Sequence, residues 1–229
     1  KGSRLQSFIV ACIFTYHRLR KSFYKEIDRY ICLNENQIQL LKEIGFDENK
    51  IVKKYNFVPD ADAYADVKLV SNLPERYVVF YGRIGEEKGI RILMQIWDRI
   101  QDIPLVVMGG GPLEEEFRIW AETKDNVFFL GYTQHDKCLG IVKKAEFVVF
   151  PSIWYEGCSM VEIETESLGK GLIATDLGFS EEAITNGVNG FKVSLGDISG
   201  FEQSIRKLWA DSEQIAIIGK NARMDYEAK

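Results

Sequence analysis

From Tyr77 to Thr175, short apolar segments alternate with longer amphipathic ones, and this alternation constrains the fold more than any other feature. The apolar segments have the length of buried strands, and the segments between them have the length and spacing of helices. Such alternation predicts an α/β fold with a doubly wound, mostly parallel sheet. The expected strands are Tyr77–Tyr81, Leu105–Met108, Val127–Leu130, Phe147–Phe150 and Leu172–Thr175, and the expected helices are Lys88–Ile100, Leu113–Thr123, Lys137–Lys144 and Met160–Leu168.

A further strand–helix–strand unit precedes this series. Asn34 is a candidate N-cap for its helix, and Gly45 is a candidate stop. Residues 59–76 lack a sustained period and predict a connection between two units. We therefore expect a partial second α/β unit in residues 1–65 and the doubly wound domain in residues 66–229. The elements expected in the partial unit are strand Tyr30–Leu33, helix Gln37–Ile44 and strand Ile51–Val58.

The first 27 residues form a basic segment, with six Lys or Arg residues, one Glu and a net charge of +5. Their apolar residues recur at intervals of three and four, which predicts one long helix or two short ones. We favour packing of this apolar stripe on a sheet, and the alternative is peripheral contact with anionic lipid. The stripe consists of Leu5, Phe8, Ile9, Cys12, Ile13, Tyr16, Leu19, Phe23 and Ile27.

Composition excludes several other classes of function. The net charge of −5 argues against a nucleic-acid partner. The sequence shows neither an export signal nor an apolar run of membrane-spanning length. We expect a cytoplasmic location, at the inner face of the membrane if the basic segment binds lipid. The four cysteines have no paired spacing, so neither a metal site nor a disulfide framework is expected; they are Cys12, Cys32, Cys138 and Cys158.

The loop after the first strand of the series places two cations near the next helix. Arg83 follows the strand directly, and Lys88 is expected in the first turn of the helix. A cation there opposes the helix dipole, so an anionic partner is expected. A diphosphate would satisfy both cations and the free N–H groups of the helix. Alternatively, Glu86 and Glu87 could neutralise both cations without a ligand.

The glycine triplet after the second strand does not match a dinucleotide-binding fingerprint. Its spacing differs, and the acids Glu114–Glu116 would repel a phosphate at the start of the next helix. Gly109, Gly110 and Gly111 instead predict a tight turn that lets a flat part of a ligand approach the backbone. Pro112 is expected at the first position of the helix.

The loop after the fourth strand leads into a helix expected to begin at Met160. Ser159 and Glu162 have the spacing of a capping box. In this helix Met160, Val161, Ile163 and Leu168 are expected to face the core, whereas Glu162 and Glu166 are expected to be solvated.

Glu164 lies on the inward stripe of the same helix. A carboxylate aimed inward needs partners, because leaving it unpaired in a buried place costs several kcal/mol. Two vicinal ribose hydroxyls would satisfy it, and so would an internal salt bridge or backbone donors.

Together, five motifs resemble the donor-binding half of retaining GT-B glycosyltransferases of family four. The resemblance runs from about Tyr77 to the end, and more weakly over residues 28–60. It implies a Rossmann-like domain for nucleotide sugars. The motifs are Gly82-Arg83…Lys88-Gly89, Gly109-Gly110-Gly111-Pro112, Val127-Phe128-Phe129-Leu130-Gly131-Tyr132, Pro151-Ser152…Glu156-Gly157…Glu164, and Ala174-Thr175-Asp176-Leu177-Gly178…Glu182…Asn186-Gly187-Val188-Asn189-Gly190.

The resemblance implies roles for individual residues. Arg83 and Lys88 would hold the donor diphosphate, Glu156 the hydroxyls of the transferred sugar, and Glu164 the ribose. Of these residues, Arg83, Lys88 and Glu156 would form the catalytic group. Further donor contacts are implied for Gly109 and Gly110, for the backbone of Tyr132 at the base, and for Gly157, Cys158, Ser159 and Met160 at the phosphates. At two positions where the family often has an aromatic residue followed by Gly or Pro, this chain has Cys158 and Ser159. The identity of the donor sugar therefore stays open.

The expected activity is transfer of a sugar, with retention, from a nucleotide sugar to a glycan or lipid-linked acceptor in surface polysaccharide synthesis. No metal or other cofactor is expected, since cations and helix amides can stabilise the leaving diphosphate. The alternatives are a sugar-nucleotide epimerase of the same architecture and a non-catalytic nucleotide-binding module. Because only a partial unit precedes the donor domain, we expect a fragment that can bind nucleotide without turning over.

Overall fold

The computed structural model describes residues 3–60 and 73–228. The chain forms two compact units, Lys1–Tyr55 and Asn56–Lys229. The domain boundary predicted between residues 65 and 66 lies outside the described residues and stays a prediction.

The first unit contains the expected strand–helix–strand arrangement. Strands β1 (Tyr30–Cys32) and β2 (Ile51–Lys53) pair in parallel. Helix α3 (Glu35–Glu43) connects them, and the side chain of Asn34 accepts a hydrogen bond from the Gln37 backbone N–H at 2.8 Å. Asn34 is therefore the N-cap, as its position in the sequence predicted.

The basic segment forms two helices, α1 (Arg4–Arg20) and α2 (Ser22–Lys25). They are separated by Lys21, which has a left-handed backbone with φ 53°. None of their residues is buried, so the packing of this stripe on a sheet is not observed within the first unit. Among the described residues, no helix is both long and apolar enough to cross a membrane.

In the described part of the second unit, six strands form one sheet: β3 (Val78–Tyr81), β4 (Leu105–Met108), β5 (Val127–Gly131), β6 (Phe147–Phe150), β7 (Gly171–Thr175) and β8 (Gly190–Val193). All neighbouring pairs are parallel, in the order β5-β4-β3-β6-β7-β8. The predicted parallel α/β sheet is therefore confirmed. The strand order reverses between β3 and β6, and the loops after these two strands flank the position where such sheets bind ligands.

Helices cover both faces of this sheet: α4 (Ile90–Arg99), α5 (Glu114–Ala121), α6 (His135–Lys144), α7 (Met160–Ser167), α8 (Phe179–Ala183), α9 (Ile198–Trp209) and α10 (Ser212–Ala228). Alternate residues of a strand point to opposite faces. Thus Val78 and Phe80 join a core with α4, α5, α9 and α10, whereas Val79 and Tyr81 join a core with α6. Helix α5 begins after Pro112, which was wrongly expected at its first position.

The segment after β2 is irregular, so the strand expected to continue to Val58 was wrong beyond Lys53. The Tyr226 hydroxyl donates to the Val58 carbonyl at 2.8 Å. Arg223 forms an ion pair with Asp60 at 2.9 Å. These contacts hold the segment against α10 rather than against a neighbouring strand.

Candidate functional site

The loops that follow β3 and β6 are in direct contact. Gly89 has φ 71°, and a Cβ added to it would lie 1.8 Å from the carbonyl oxygen of Pro151. The backbone N–H of Ile153 donates to the Glu87 carbonyl at 3.0 Å. Only glycine allows this approach, so the sequence Lys88-Gly89 brings the lysine to the second loop.

A lysine and a glutamate meet where these loops join. Lys88 Nζ lies 2.5 Å from Glu156 Oε1, and the Ser152 hydroxyl donates to the same carboxylate oxygen at 3.0 Å. The two charged side chains are 22% and 13% exposed. Lys88 Nζ also lies 5.5 Å from the ring centroid of Phe150. The site thus holds a largely buried cation beside a carboxylate that already accepts two hydrogen bonds.

The acids beside Lys88 in the sequence do not neutralise it. Lys88 ends a turn of 3₁₀ helix, and its predicted place in the first turn of α4 was wrong, because α4 begins two residues later. Glu87 pairs with Arg83 at 3.4 Å, and Glu86 pairs with Arg91. Local neutralisation therefore applies to Arg83, whereas Lys88 takes its partner from the loop after β6.

A pocket of about 400 Å³ opens at the carboxyl ends of β3, β4 and β5. Its size lies within the range of small-molecule sites, which is about 300–1,000 Å³. Five residues selected from the sequence line it: Arg83, Gly109, Gly110, Tyr132 and Glu164. The other six are not in its wall and belong to the loop junction and the start of α7: Lys88, Glu156, Gly157, Cys158, Ser159 and Met160.

Close packing between two loops requires glycine at two of the three consecutive glycine positions. A Cβ on Gly109 would lie 1.7 Å from the Gly82 carbonyl oxygen, and one on Gly111 would lie 2.4 Å from the Ile84 carbonyl oxygen. The Ile84 N–H also donates to the Gly110 carbonyl at 3.0 Å. The turn lies one step later than expected, at Pro112-Leu113, where the Glu114 N–H donates to the Gly111 carbonyl at 3.0 Å. The close approach at Gly109 and Gly111 is to protein backbone. Of the two, Gly109 also lines the pocket, together with Gly110.

Glu164 points inward, as its helical position predicted, and forms part of the pocket wall. Its side chain is 8% exposed, and its Oε1 lies 3.6 Å from His135 Nε2. Burial raises the pKa of Glu164, while a positive charge on His135 and the nearby Tyr81 hydroxyl act to lower it. When its ring is protonated, His135 is therefore the internal ion-pair partner that the sequence left open.

Three expectations for α7 were wrong. Glu162 and Glu166 are buried at 1% and 6% exposure, not solvated. Met160 is 44% exposed and does not face the core. Ser159 precedes the helix, as expected, but its side chain makes no capping hydrogen bond. Glu162 instead accepts a hydrogen bond from the Ser180 hydroxyl at 2.6 Å, and this contact with α8 draws the carboxylate inward.

The segment between Glu156 and α7 is fixed by neighbours distant in sequence. Cys158 and Ser159 are buried, and the Asn56 amide donates to the Cys158 carbonyl at 2.7 Å. The Glu156 carbonyl accepts a hydrogen bond from the Phe179 N–H at 2.9 Å. The start of α7 is therefore a fixed surface beside the Lys88–Glu156 pair.

Several pocket residues were missed from the sequence: Tyr81, Met108, Thr133, His135, Cys138 and Val161. The signal for His135 was its place four residues after Gly131, just after a strand and at the start of the next helix. The thiol of Cys138 is inert as a nucleophile, because burial raises its pKa to about 12. Within residues 3–60 and 73–228, no group of three or more His, Cys, Asp or Glu residues could hold a metal ion.

Comparisons with known proteins agree with this geometry. Residues 65–225 match the family described as glycosyl transferases group 1. The chain is 28% identical over 224 residues to the D-rhamnosyltransferase WbpZ of Pseudomonas aeruginosa, covering 92% of this chain and 58% of that protein. It is 24% identical over 220 residues to the O-antigen chain mannosyltransferase C of Escherichia coli, covering 93% and 59%. The chain thus spans about three fifths of the length of these relatives.

A solved structure supports the fold. The structure of S. aureus TarM with UDP and alpha-GlcNAc-glycerol superposes with a TM-score of 0.74 at 23% identity, covering 90% of this chain and 42% of that one. The neighbouring structures are GT-B glycosyltransferases, so the sheet of the second unit is the Rossmann-like fold that the motifs implied. With more than half of its length matched, the chain belongs to the glycosyl transferases group 1 family.

Proposed function

We propose that the chain forms the donor-binding half of a hexosyltransferase that moves a sugar, with retention, from a nucleotide sugar to a glycan or lipid-linked acceptor in surface polysaccharide synthesis. One observation carries the proposal: the Lys88–Glu156 pair and the Glu164 pocket share the carboxyl edge of one sheet at its switch point. A nucleoside in the pocket would place its diphosphate toward the loop junction. The named activities of the two curated relatives support a role in glycan synthesis.

In this proposal Lys88 exchanges partners when the donor binds. Its Nζ leaves Glu156 for a phosphate oxygen, and the freed carboxylate then accepts hydroxyl groups of the sugar. Arg83, whose side chain is 64% exposed beside the pocket, supplies the second cation. Glu164 accepts the ribose hydroxyls, and the exposed Tyr132 marks the end of the pocket that takes the base.

The same groups would serve the chemical step. As the bond to the anomeric carbon breaks, negative charge grows on the leaving diphosphate, and cations fixed in advance stabilise that charge. The proposed mechanism needs neither a metal nor another cofactor. Attack from the face that the diphosphate leaves would retain the anomeric configuration without the nucleophilic carboxylate of a retaining glycosidase. Glu156 therefore acts on the sugar hydroxyls and does not bond to carbon.

Titration calorimetry with UDP-, GDP- and ADP-sugars tests the proposal. We expect saturable binding of one nucleotide class by the folded chain. Incubation of that donor without acceptor then tests the alternatives, since an epimerase would change the sugar while it is still attached to the nucleotide. A folded chain that binds none of the three classes would overturn the proposal.

A further proposal concerns where the protein acts. We propose that residues 1–27 rest on the inner face of an anionic membrane. Exposed apolar side chains of α1, such as Phe8, Ile13 and Leu19, support it, as does the charge of +5. Each cation near such a surface contributes about 1 kcal/mol.

Co-sedimentation with vesicles separates this proposal from packing against protein. We expect binding to anionic but not neutral vesicles, weakened by salt and by replacing Arg18, Arg20 and Lys21 with Gln. Equal binding to both vesicle types would contradict membrane recognition and indicate an apolar surface that another protein segment covers.

A further inference from the structure

His135 stands at the solvent side of the buried Glu164. It is the first residue of α6 and lines the same pocket. The His135 ring is 61% exposed, the Glu164 side chain is 8% exposed, and the closest nitrogen and oxygen atoms are 3.6 Å apart. The imidazole therefore lies on the side of the carboxylate from which a ligand would approach.

The groups facing Glu164 differ in the charge they can carry. Tyr81 faces it from β3, and Cys138 and His135 face it from α6. Burial raises the pKa of the Cys138 thiol to about 12 and raises that of the Tyr81 hydroxyl well above its usual value. Both groups stay neutral near pH 7. Arg83, which also lines the pocket, pairs with Glu87 at 3.4 Å, so among these four groups His135 is the one placed against the carboxylate that can carry positive charge.

A carboxyl group accepts hydrogen bonds from two ribose hydroxyls most strongly when it is ionised. An ionised carboxylate is an acceptor only, whereas the protonated acid carries an O–H that would face one of the hydroxyls. Burial works against ionisation, because it raises the pKa of Glu164. A neighbouring positive charge works in the opposite direction.

We propose that His135 is a positioning residue for nucleotide binding: its ring, 3.6 Å from the Glu164 carboxylate in the same pocket wall, pairs with that carboxylate when protonated and holds it available to both ribose hydroxyls. This inference rests on the proposed function, since it assigns the ribose to Glu164. It adds a pH range over which nucleotide binding is maintained. Imidazoles in general gain charge as the pH falls from about 8 to about 5. Burial shifts the protonation of Glu164 upward, toward that range.

The variant His135→Gln removes the charge and keeps a polar side chain at the pocket wall. Lys137→Gln is the matched control, because Lys137 is an exposed cation in the same turn of α6 and does not line the pocket. Binding of UDP, GDP and ADP is measured by calorimetry from about pH 8 to about pH 5.5. The same series with the 2′,3′-dideoxy nucleotides corrects for titration of the phosphates, whose second pKa is about 6.

At about pH 8, where imidazoles are neutral, we expect His135→Gln and the unmodified chain to bind the ribonucleotide equally. At about pH 5.5 we expect His135→Gln to bind it about threefold to fivefold more weakly, the upper range for an exposed ion pair. The dideoxy nucleotide should show no such difference, and Lys137→Gln should follow the unmodified chain. In the ligand-free protein, the Glu164 carboxyl carbon observed by ¹³C NMR should titrate at higher pH in His135→Gln.

Parallel pH curves for the unmodified chain and His135→Gln would overturn the role of His135 while leaving the ribose site intact. An unchanged Glu164 titration would overturn it as well. A loss of affinity that is equal at every pH would indicate a structural role for the ring and also contradict the proposal. If the folded, unmodified chain bound no nucleotide at any pH, the proposed function would fail together with this inference.

Discussion

Gly89 and Pro151 are packed so closely that a Cβ on Gly89 would lie 1.8 Å from the Pro151 carbonyl oxygen. This contact joins the loops after β3 and β6, two strands that are far apart in sequence and adjacent in the sheet. Lys88 and Glu156, one from each loop, meet as a consequence. The position of the cation is therefore set by backbone packing as well as by its own ion pair.

The variant Gly89→Ala should destabilise the protein strongly. Gly196→Ala is the control, because Gly196 has a similar φ of 77° but nothing within 4 Å of its added Cβ. The left-handed backbone alone costs about 1–2 kcal/mol for a non-glycine residue. In urea unfolding we expect the free energy of unfolding to fall by about 1–2 kcal/mol for Gly196→Ala and by more than twice as much for Gly89→Ala. Equal losses would show that the Pro151 contact relaxes without consequence.

Lys88→Ala should weaken nucleoside diphosphate binding by about 1.5–3 kcal/mol, the range for a hydrogen bond to a charged group. Arg91→Ala is a fair control: it removes an exposed cation from the same region, one that pairs with Glu86 and Glu116. Calorimetry should show a loss of affinity for Lys88→Ala and almost none for Arg91→Ala. Similar affinities for both variants, with both folded by circular dichroism, would contradict the role of Lys88.

The two serines near Glu162 should differ in their contribution to stability. Ser180→Ala removes the 2.6 Å hydrogen bond to the buried carboxylate and should cost about 1.5–3 kcal/mol. Ser159→Ala removes no capping hydrogen bond and should cost less than about 1 kcal/mol. Urea unfolding of both variants measures the difference. A larger loss for Ser159→Ala would restore the capping box that the sequence suggested.

Local patterning predicted five of the six strands described in this sheet, and β8 was not among the strands expected from the sequence. Strands β3, β4, β6 and β7 are buried along their whole length, and β5 begins with a buried residue. Their continuous apolar runs therefore differ from the amphipathic pattern of the helices between them. Glu164 was predicted to point inward from its place on a helical stripe, and it does. That stripe was an incomplete guide, because Met160 on it is exposed whereas Glu162 and Glu166 off it are buried. These features depend on residues that are close in sequence.

The errors have long-range causes. The segment up to Val58 has the composition of a strand but is held by Tyr226, which lies far along the chain. Glu162 looked solvated until Ser180 of α8 was found beside it. Lys88 likewise takes its partner from a loop after a different strand. None of these contacts has a signal within a window of a few residues.

Glu164→Gln should change stability and nucleotide binding in opposite directions. Burial raises the folded-state pKa of Glu164 above its unfolded value, so the folded chain binds the proton more tightly. Stability attributable to this group is therefore full below the unfolded pKa and is lost as the pH rises through the folded pKa. Removing the charge should raise the melting temperature of the ligand-free protein at neutral pH, with the gain shrinking in acid. A melting temperature that falls at neutral pH would show that the carboxylate stabilises the fold.

The same variant should bind ribonucleotides more weakly, because each hydrogen bond from a hydroxyl to a charged acceptor contributes about 1.5–3 kcal/mol. Its affinity for 2′-deoxy nucleotides should fall less, since these ligands lack one of the two hydroxyls. Calorimetry with the ribo and 2′-deoxy forms of one nucleoside diphosphate gives the ratio of the two affinities, for the unmodified chain and for Glu164→Gln. We expect selectivity for the ribo form in the unmodified chain and a smaller ratio in the variant, because only the carboxylate accepts from both hydroxyls at once. If the unmodified chain bound both forms alike, the carboxylate would be a structural group and the ribose would lie elsewhere in the pocket.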